Sequence, residues 1–329
     1  MASDKADKTL LLIDGNSLFH RAYHALPPLS DKTGENANAV FGFSNMLLKA
    51  IGEVKPDFIA CAFDTKAPTF RHVEFEKYKA QRPAPPPDLY PQLPKVKKVL
   101  DAFGIPYFEK EGYEADDLLA TIASKCQVSG NKYQVIILSS DRDVLQLVDG
   151  NTKVQQPGWN LKEVTLIGAK EVKEKYGLEP HQMVDYKSLI GDPSDNVPGV
   201  AGIGPKTAAQ LLAEFHTLEK LFENTAELGE TTRGKLEAGK EIALAAKRLV
   251  ELDRNVDIEI RVKSLEFRPD WEKVRKEYEE LGFKSIAAKI AGFGNTPGVE
   301  SSRKPESTPG VSKAEESTTD NESDQLELI

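Results

Sequence analysis

Continuous apolar runs alternate with amphipathic stretches along the first half of the chain. The apolar runs are residues 9–13, 58–63 and 134–138, and such runs are typical of parallel strands buried on both faces. The pattern between them predicts helices over residues 40–51, 88–103 and 114–126, and a short strand over residues 106–109. This alternation predicts an α/β fold with a doubly wound, mostly parallel sheet.

The second half of the chain favours helices and has no such strand runs after Thr165. Predicted helices cover residues 169–176, 180–190, 206–214, 218–224 and 242–252. From about residue 294 the composition shifts to Ser, Thr, Pro, Glu and Gly, which is typical of a disordered segment. We therefore expect an α/β domain over residues 1–175, a helical domain over 176–293 and a disordered acidic tail over 294–329.

Acidic residues follow the predicted strands. Asp14, Asp64 and Asp141 each stand just after an apolar run, and the carboxyl ends of parallel strands meet at one edge of a sheet. Aspartate is also common in strand-to-helix turns for conformational reasons alone. Because several such residues converge on one edge, we expect a shared site there.

Residues 112–119 carry three carboxylates within four positions. Glu114 and Asp117 are three residues apart and share a face on a helix, with Asp116 beside them. One interpretation is that these residues only complement the helix macrodipole. The other joins them to the acidic residues at the sheet edge. Asp192 and Asp195, also three apart at a predicted helix end, add two more carboxylates.

Two further segments suggest contacts with phosphate. Residues 199–207 look like a P-loop, but Pro205 stands where that motif needs Lys and no strand precedes it. The glycine-rich turn instead offers backbone N–H groups and Lys206 to a phosphate backbone without reading bases. Residues 66–87 interleave aromatic and basic side chains before a run of prolines. That segment is either a solvated loop, or a mobile element, helical or flexible up to Arg82, that grips a single strand.

The net charge of −9 argues at first against a nucleic-acid partner, but the charges are unevenly distributed. Residues 295–329 hold eight acidic and three basic residues, whereas residues 66–98 hold eight basic and three acidic residues. A basic surface around a dense acidic group suits metal-dependent chemistry on phosphate.

The chain shows no feature of a membrane or secreted protein. No stretch approaches the roughly 20 apolar residues that span a bilayer, and the polar N-terminus lacks the apolar core of a secretion signal. Cys61 and Cys126 form neither a disulfide framework nor a zinc site. Buried, reduced thiols fit the cytoplasm, so we expect a cytoplasmic protein.

Seven sequence blocks are similar to the 5′-nuclease domain of bacterial DNA polymerase I and to the wider flap endonuclease family. They are LLIDGNSLFHRAYHAL, FGFSNMLLKA, AFDTKAPTFRH, YKAQR, GYEADDLLATIA, SSDRDVLQL and GDPSDNVPGVAGIGPKTAAQLL. The resemblance covers roughly residues 9–290. It implies a PIN-like α/β domain, a helical arch at residues 66–87 and a helix–three-turn–helix motif at residues 185–215.

In that family two clusters of carboxylates hold divalent metal ions. The resemblance implies a first cluster of Asp14, Asp64, Glu114, Asp116 and Asp117. It implies a second cluster of Asp141, Asp143, Asp192 and Asp195. Ligands that are all oxygen favour Mg²⁺ or Mn²⁺ over Zn²⁺. Two Mg²⁺ ions would supply the nucleophile and the charge neutralisation that phosphodiester hydrolysis needs.

The resemblance also implies roles for residues outside the acidic clusters. Tyr78, Lys79 and Arg82 match the arch positions that engage the scissile phosphate. The glycine-rich turn would hold duplex DNA, in part through a monovalent cation such as K⁺. The residues expected to contact DNA are Arg21, Lys66, Arg71, Gly202, Gly204, Lys206 and Thr207.

We therefore expect a monomeric 5′-3′ exonuclease and 5′-flap endonuclease that acts on DNA with flaps, nicks or gaps in primer removal and repair. One alternative is an RNA-processing nuclease with a similar acidic sheet. Another is a catalytically silent DNA-binding or clamp-tethered module. No proofreading or polymerase region follows, so polymerase activity is not expected, and the chain is either free-standing or part of a longer protein.

The end of the tail suggests a further partner. Its apolar residues resemble the Gln-Leu-x-Leu-Phe peptides with which bacterial proteins dock on the sliding clamp, with Ile in place of Phe. A flexible tether with apolar anchors can fill a groove and raise the local concentration at a replication site. The alternative is a chance match. The residues concerned are Gln325, Leu326, Leu328 and Ile329.

Overall fold

A six-stranded sheet with the strand order β3-β2-β1-β4-β5-β6 organises the fold. The computed structural model describes residues 8–128, 133–158 and 163–293. Five strands are parallel, and β6 runs antiparallel to β5. The strands are β1 Lys8–Asp14, β2 Phe58–Ala62, β3 Tyr107–Phe108, β4 Tyr133–Leu138, β5 Thr152–Pro157 and β6 Val164–Ile167.

Helices connect the strands and make up most of the second half of the described chain. The first six α-helices are α1 Gly15–Ala25, α2 Asn38–Val54, α3 Phe70–Glu74, α4 Leu93–Phe103, α5 Ala115–Val128 and α6 Ala169–Tyr176. The others are α7 Met183–Ile190, α8 Pro205–Phe215, α9 Leu218–Glu223, α10 Glu230–Val250, α11 Trp271–Leu281 and α12 Lys284–Phe293. None of the described helices is long and apolar enough to cross a membrane.

Both faces of the sheet are buried, which explains the continuous apolar runs. Leu10 and Leu12 of β1 belong to a core that includes residues of α5 and of α6 to α10. Leu11 and Ile13 point to the other face, where residues of α1, α2, α4, α11 and α12 complete a second core. The helical half of the chain therefore contributes to the cores on both sides of the sheet.

The sheet brings its polar residues to one edge. The chain runs from β1 outward through β2 to β3, and then returns to pair β4 with the other side of β1. The order of strands thus reverses between β1 and β4, and α/β proteins bind ligands outside such a reversal. Asp14 ends β1, and Ser139 follows β4 at this point.

The pattern of apolar residues did not predict every element. Strand β5 (TKVQQP) has no apolar run, and α10 begins twelve residues before the predicted residue 242. The helices α11 and α12 were not predicted. β6 lies at the edge of the sheet with two exposed residues, so its apolar signal is short.

The segment at residues 66–87 contains little helix. Helix α3 is five residues long, and turns with backbone hydrogen bonds three residues apart follow it: Tyr78 to Phe75, Ala80 to Lys77 and Arg82 to Lys79. Residues 83–86 have no regular secondary structure, because proline cannot continue a helix. The turns keep this segment close to the loop between α7 and α8, where the Lys79 N–H donates to the Asp195 carbonyl at 2.9 Å.

The loop between α7 and α8 depends on close packing of two glycines. Gly191 has φ +78°, which favours glycine, and the backbone of Gly199 lies against it. A Cβ at Gly199 would come within 2.3 Å of the Ile190 carbonyl carbon and 2.4 Å of the Gly191 nitrogen. This contact fixes the loop that carries Asp192 and Asp195.

The Gly199→Ala variant tests that contact. Because a Cβ there meets backbone rather than a flexible side chain, we expect a loss of about 2 kcal/mol in unfolding free energy, measured by urea denaturation. Gly234→Ala is the matched control, since Gly234 lies in α10 with open space around its Cα. Alanine there should stabilise the protein by about 0.5–1 kcal/mol. Equal unfolding free energies for the two variants would show that the loop can shift to accept a Cβ at residue 199, and would contradict the close contact.

Candidate active site

Asp14 lies at the strand-order reversal and is buried. Its Oδ1 accepts the Ser17 N–H at 2.9 Å, which caps α1, and its Oδ2 accepts the Ser139 hydroxyl at 2.6 Å. Burial raises the pKa of Asp14 from its ordinary value of 3.8 to about 7, despite these hydrogen bonds, and the charges of Asp141 and Asp64 act in the same direction. The fold therefore places an ionisable oxygen where a negative charge is costly without a cation.

Asp64 links β2 to the start of α5. Its Oδ1 accepts the Ala115 N–H at 2.7 Å, and its Oδ2 accepts the Asn16 amide at 2.7 Å. Desolvation raises the pKa of Asp64, although the hydrogen bond from Ala115 opposes the shift. Asp116 lies one residue further along α5, where desolvation and the charges of Glu114 and Asp117 raise its pKa well above the usual range.

These carboxylates line one cavity of about 710 Å³. Of the nine predicted carboxylates, five form ion pairs within the described chain: Glu114, Asp117, Asp143, Asp192 and Asp195. Carboxylates that line a cavity and form no ion pair offer oxygen ligands that suit a hard divalent ion. The residues that line the cavity without such an ion pair are Asp14, Asp64, Asp116 and Asp141. We call them the open carboxylates.

Three residues of the second predicted cluster, Asp143, Asp192 and Asp195, form an acidic group of their own, whereas its fourth residue, Asp141, lines the cavity with the first cluster. Each of the three offers an oxygen, and these atoms lie within 4.8 Å of one another. Lys187 pairs with both Asp143 and Asp192, the latter at 2.7 Å. Asp195 pairs with Arg82 at 2.5 Å and lies 3.7 Å from the Lys79 ammonium. We call these three residues the paired carboxylates.

The predicted arch residues reach into the acidic region. The Tyr78 hydroxyl is buried, 3.0 Å from Glu114 Oε2 and 3.1 Å from Asp195 Oδ2. Desolvation and these two charges raise the pKa of Tyr78 far above its usual range, so the phenol remains protonated. The Lys79 ammonium lies 2.5 Å from Glu114 Oε1, and Lys79 has the left-handed φ of +55°. Such backbone conformations persist where the surrounding contacts hold them.

Asp117 lies behind the cavity rather than in it. It is fully buried, and its two oxygens accept four N–H groups: two from Arg71 at 2.7 and 2.8 Å, and one each from the backbones of Glu114 and Asp253. All of its hydrogen-bonding capacity is used within the protein. The structure thus gives Asp117 a position that supports Glu114, whose backbone N–H it accepts, and the metal contact that the resemblance implied stays a prediction.

The expected contact of Arg71 with DNA is corrected. Arg71 is only 1% exposed and binds Asp117 in a bidentate pair. Its remaining N–H groups donate to the carbonyls of Leu249 and Glu251, at the end of α10. A buried guanidinium with these partners cannot reach a phosphate, and it instead joins α5 to α10.

The other residues expected to contact DNA lie at or near the surface. Lys66 and Lys206 are exposed, and Arg21 is half-buried with its Nη2 donating to the Pro157 carbonyl at 3.3 Å. Gly202 has φ +77°, and Gly204 precedes α8. Thr207 is half-buried in the first turn of α8. The clamp-like residues 325–329 lie outside the described residues.

Sequence reasoning missed four residues that shape the site. Asn16 and Ser139 hold Asp64 and Asp14, and both stand beside a predicted strand end, which was the available signal. Lys187 lies on α7, five residues before Asp192, which follows the end of that helix. The Lys235 ammonium donates to the Gly202 carbonyl at 3.2 Å. These residues are 33 positions apart, and no local sequence pattern predicts the contact.

Comparison with known families matches almost the whole described chain. A model of the 5′-3′ exonuclease N-terminal resolvase-like domain matches residues 9–177, and one of the 5′-3′ exonuclease C-terminal SAM fold matches residues 178–273. DNA polymerase I of Bacillus subtilis (strain 168) is 41% identical over 285 residues, which cover 86% of this chain and 32% of that protein. The thermostable DNA polymerase I of Thermus thermophilus is 40% identical and covers 84% and 32%. The chain thus spans about a third of the length of these relatives.

Solved structures share the fold at low sequence identity. A flap endonuclease of bacteriophage T5, in a pseudo-enzyme–product complex with DNA and metal ions, has a TM-score of 0.62 and 17% identity, and covers 88% of this chain and 100% of that chain. The catalytic core of Rad2 in complex with DNA substrate has a TM-score of 0.54 and 18% identity, and covers 88% and 95%. With the family models, these likenesses confirm the predicted PIN-like α/β fold followed by a helical domain.

Removal of Arg71 tests its supporting role. Arg71→Met leaves the buried Asp117 charge without its cationic partner, so we expect a loss of about 3–5 kcal/mol in unfolding free energy. Arg248→Met is the control, because Arg248 forms a pair of 3.6 Å with Glu74 while its side chain is 66% exposed. That variant should lose no more than about 1 kcal/mol. Similar losses for the two variants in urea denaturation would contradict the buried pair.

The pH dependence of stability without metal tests the environment of Asp14. In the unfolded chain this carboxyl ionises near 3.8, whereas in the folded protein it keeps its proton until about pH 7. Between those values the folded state binds more protons, so its contribution to stability falls as the pH rises and is lowest above pH 7. Asp14→Asn removes the titration and keeps an oxygen for the Ser17 cap.

We therefore expect the difference in unfolding free energy between Asp14→Asn and the wild type to grow by about 3 kcal/mol, in favour of the variant, as the pH rises from 5 to 8. The measurement is urea denaturation in a chelator across that range. A difference between the two proteins that stays constant with pH would contradict the raised pKa.

Proposed function

Because the chain belongs to the 5′-3′ exonuclease family, matched by its two domain models over residues 9–273, we propose that it hydrolyses phosphodiester bonds at 5′ ends and 5′ flaps of DNA. The substrates are flapped, nicked or gapped duplexes, and the products carry 5′ phosphates. The single observation that carries the proposal is the set of open carboxylates in one cavity, bordered by the Lys79 and Arg82 side chains.

The donor set of the cavity fits divalent metal ions. Its open carboxylates supply oxygen ligands, and the raised pKa of Asp14 and Asp64 reflects a charge that a cation would stabilise. We assign Mg²⁺ or Mn²⁺ to this group and a second ion to the paired carboxylates. When bound, such ions generate a nucleophile from water at neutral pH and offset charge on the phosphoryl group.

The chain's own cations complete the chemistry. Lys79 and Arg82 pair with Glu114 and Asp195 in the protein alone, and both side chains line the cavity. A phosphate in the cavity offers them a second anionic partner, and Arg82 suits its geometry through bidentate hydrogen bonds. There they stabilise the charge that develops on the phosphoryl oxygens. The protonated Tyr78 hydroxyl lies between Glu114 and Asp195, within hydrogen-bond distance of both, and donates its proton to one of them at a time.

The helical half of the chain binds the DNA backbone. The turn between α7 and α8 presents Gly202, Gly204 and the exposed Lys206, which suits phosphate contacts without base recognition. A monovalent cation such as K⁺ would assist this turn.

The remaining parts of the proposal concern the whole protein. It acts as a monomer in the cytoplasm, and its α/β and helical domains divide near residue 175. Residues 325–329, which lie outside the described residues, dock on the sliding clamp.

Asp64→Asn tests the proposed function. Loss of the negative charge on one of the open carboxylates should lower the cleavage rate of a labelled 5′-flap DNA in Mg²⁺ by about 100-fold or more, with DNA binding in Ca²⁺ preserved. Glu174→Gln is the control, because Glu174 belongs to an exposed pair with Lys170 on α6. It should cleave at the wild-type rate.

The same assay separates the rival functions through its substrates. Flapped and nicked DNA should be cleaved in preference to an RNA–DNA hybrid or to RNA. Preferred cleavage of RNA would support an RNA-processing enzyme, and absence of cleavage by the wild type with Mg²⁺ or Mn²⁺ would support a silent binding module.

A further inference from the structure

Lys187 occupies the position of a cation within the paired carboxylates. It projects from α7 and pairs with Asp143 and with Asp192, at 2.7 Å from the latter. The side chains of Lys187, Asp143 and Asp192 are only 15%, 13% and 12% exposed. The ammonium is therefore largely shielded from water and has two carboxylates as its counter-charges.

The position of Lys187 is fixed by the fold. Its own carbonyl accepts the Gly191 N–H at 2.7 Å, which ends α7, and Asp192 follows directly. Asp192 is held in turn by the Val197 backbone and by Ser194, so its carboxylate cannot easily turn away from the ammonium. The third member, Asp195, has Arg82 and Lys79 as cationic partners.

The two acidic groups thus differ in how their charge is balanced. The open carboxylates have no ion pair with a lysine or arginine of the described chain, whereas every member of the paired carboxylates has one. A divalent ion that binds the first group has no such ion pair to break, although the Lys79 and Arg82 side chains line the same cavity. In the second group it must displace the Lys187 ammonium or bind beside a like charge, and either process weakens its binding.

We propose that Lys187 is a resident counter-ion that opposes divalent-ion binding at the paired carboxylates. Without DNA, the protein then binds one divalent ion tightly at the open carboxylates and a second ion weakly. This inference rests on the metal sites of the proposed function. It adds that Lys187 makes the affinity for a divalent ion lower at the paired carboxylates than at the open carboxylates. Lys187 acts through the carboxylates and is a positioning residue.

Calorimetric titration of the metal-free, full-length protein with Mn²⁺, in the absence of DNA, tests the proposal. In Lys187→Met a side chain of similar length lacks the charge, so the second Mn²⁺ should bind at least about tenfold more tightly than in the wild type. The affinity for the first Mn²⁺ should change much less, because Lys187 forms no ion pair with the open carboxylates and its charge acts only on Asp141 among them. A second affinity that does not change in Lys187→Met would overturn the proposal.

Two controls assign the effect to this group. Lys173→Met removes a lysine that pairs with Glu179 at 2.7 Å on the exposed surface, and it should bind both ions as the wild type does. Asp143→Asn added to Lys187→Met should abolish the tighter second affinity, because a ligand of the group is lost. A gain in Lys173→Met, or a gain that survives Asp143→Asn, would overturn the proposal.

Thermal unfolding covers the case in which Lys187→Met is unstable without metal. Removal of the ammonium leaves the carboxylates to repel one another, so the rise in Tm on addition of Mn²⁺ should be larger in Lys187→Met than in the wild type. An equal rise in Tm for the two proteins overturns the proposed role of Lys187 and leaves the metal sites of the proposed function standing. If the wild type binds no Mn²⁺ at the open carboxylates, the metal sites of the proposed function fail, and this inference fails with them.

Discussion

Electrostatic balance at one edge of the sheet is the constraint on which the site depends. Parallel strands bring carboxylates from distant parts of the sequence together, and burial makes their charges costly. The fold answers this cost in two ways. Lysine and arginine side chains neutralise the paired carboxylates, Glu114 and Asp117, whereas the open carboxylates keep raised pKa values, as at Asp14 and Asp64. We therefore expect a cation from solution to be favoured most strongly at the open carboxylates, whose charges no ion pair neutralises.

The same ion pairs connect the parts of the molecule. Arg71 joins α5 to the end of α10 through Asp117, and Lys79 and Arg82 join the segment at residues 66–87 to the loop that carries Asp195. The acidic site is therefore built by both halves of the chain. The segment at residues 66–87 depends in part on the charge state of the site, since Tyr78, Lys79 and Arg82 have its carboxylates as partners.

The fold class and the convergence of the acidic residues were predictable because both follow from local pattern and topology. Continuous apolar runs identify strands buried on both faces, and the carboxyl ends of parallel strands share an edge. The roles of individual residues were less accessible. Arg71 and Asp117 have the residue types of a DNA contact and a metal ligand, but they form a buried pair across 46 positions. Such a choice between partners depends on long-range packing, as does the pairing of Lys187 with Asp143, and no sequence period encodes it.

The most direct test of the account is the position of bound metal. Crystals of the metal-free protein soaked in Mn²⁺ would be measured for anomalous scattering. The account predicts the strongest peak among the carboxylates of Asp14, Asp64 and Asp116, with the Arg71–Asp117 pair intact. A strongest peak at Asp117, or at a site away from this cavity, would contradict it.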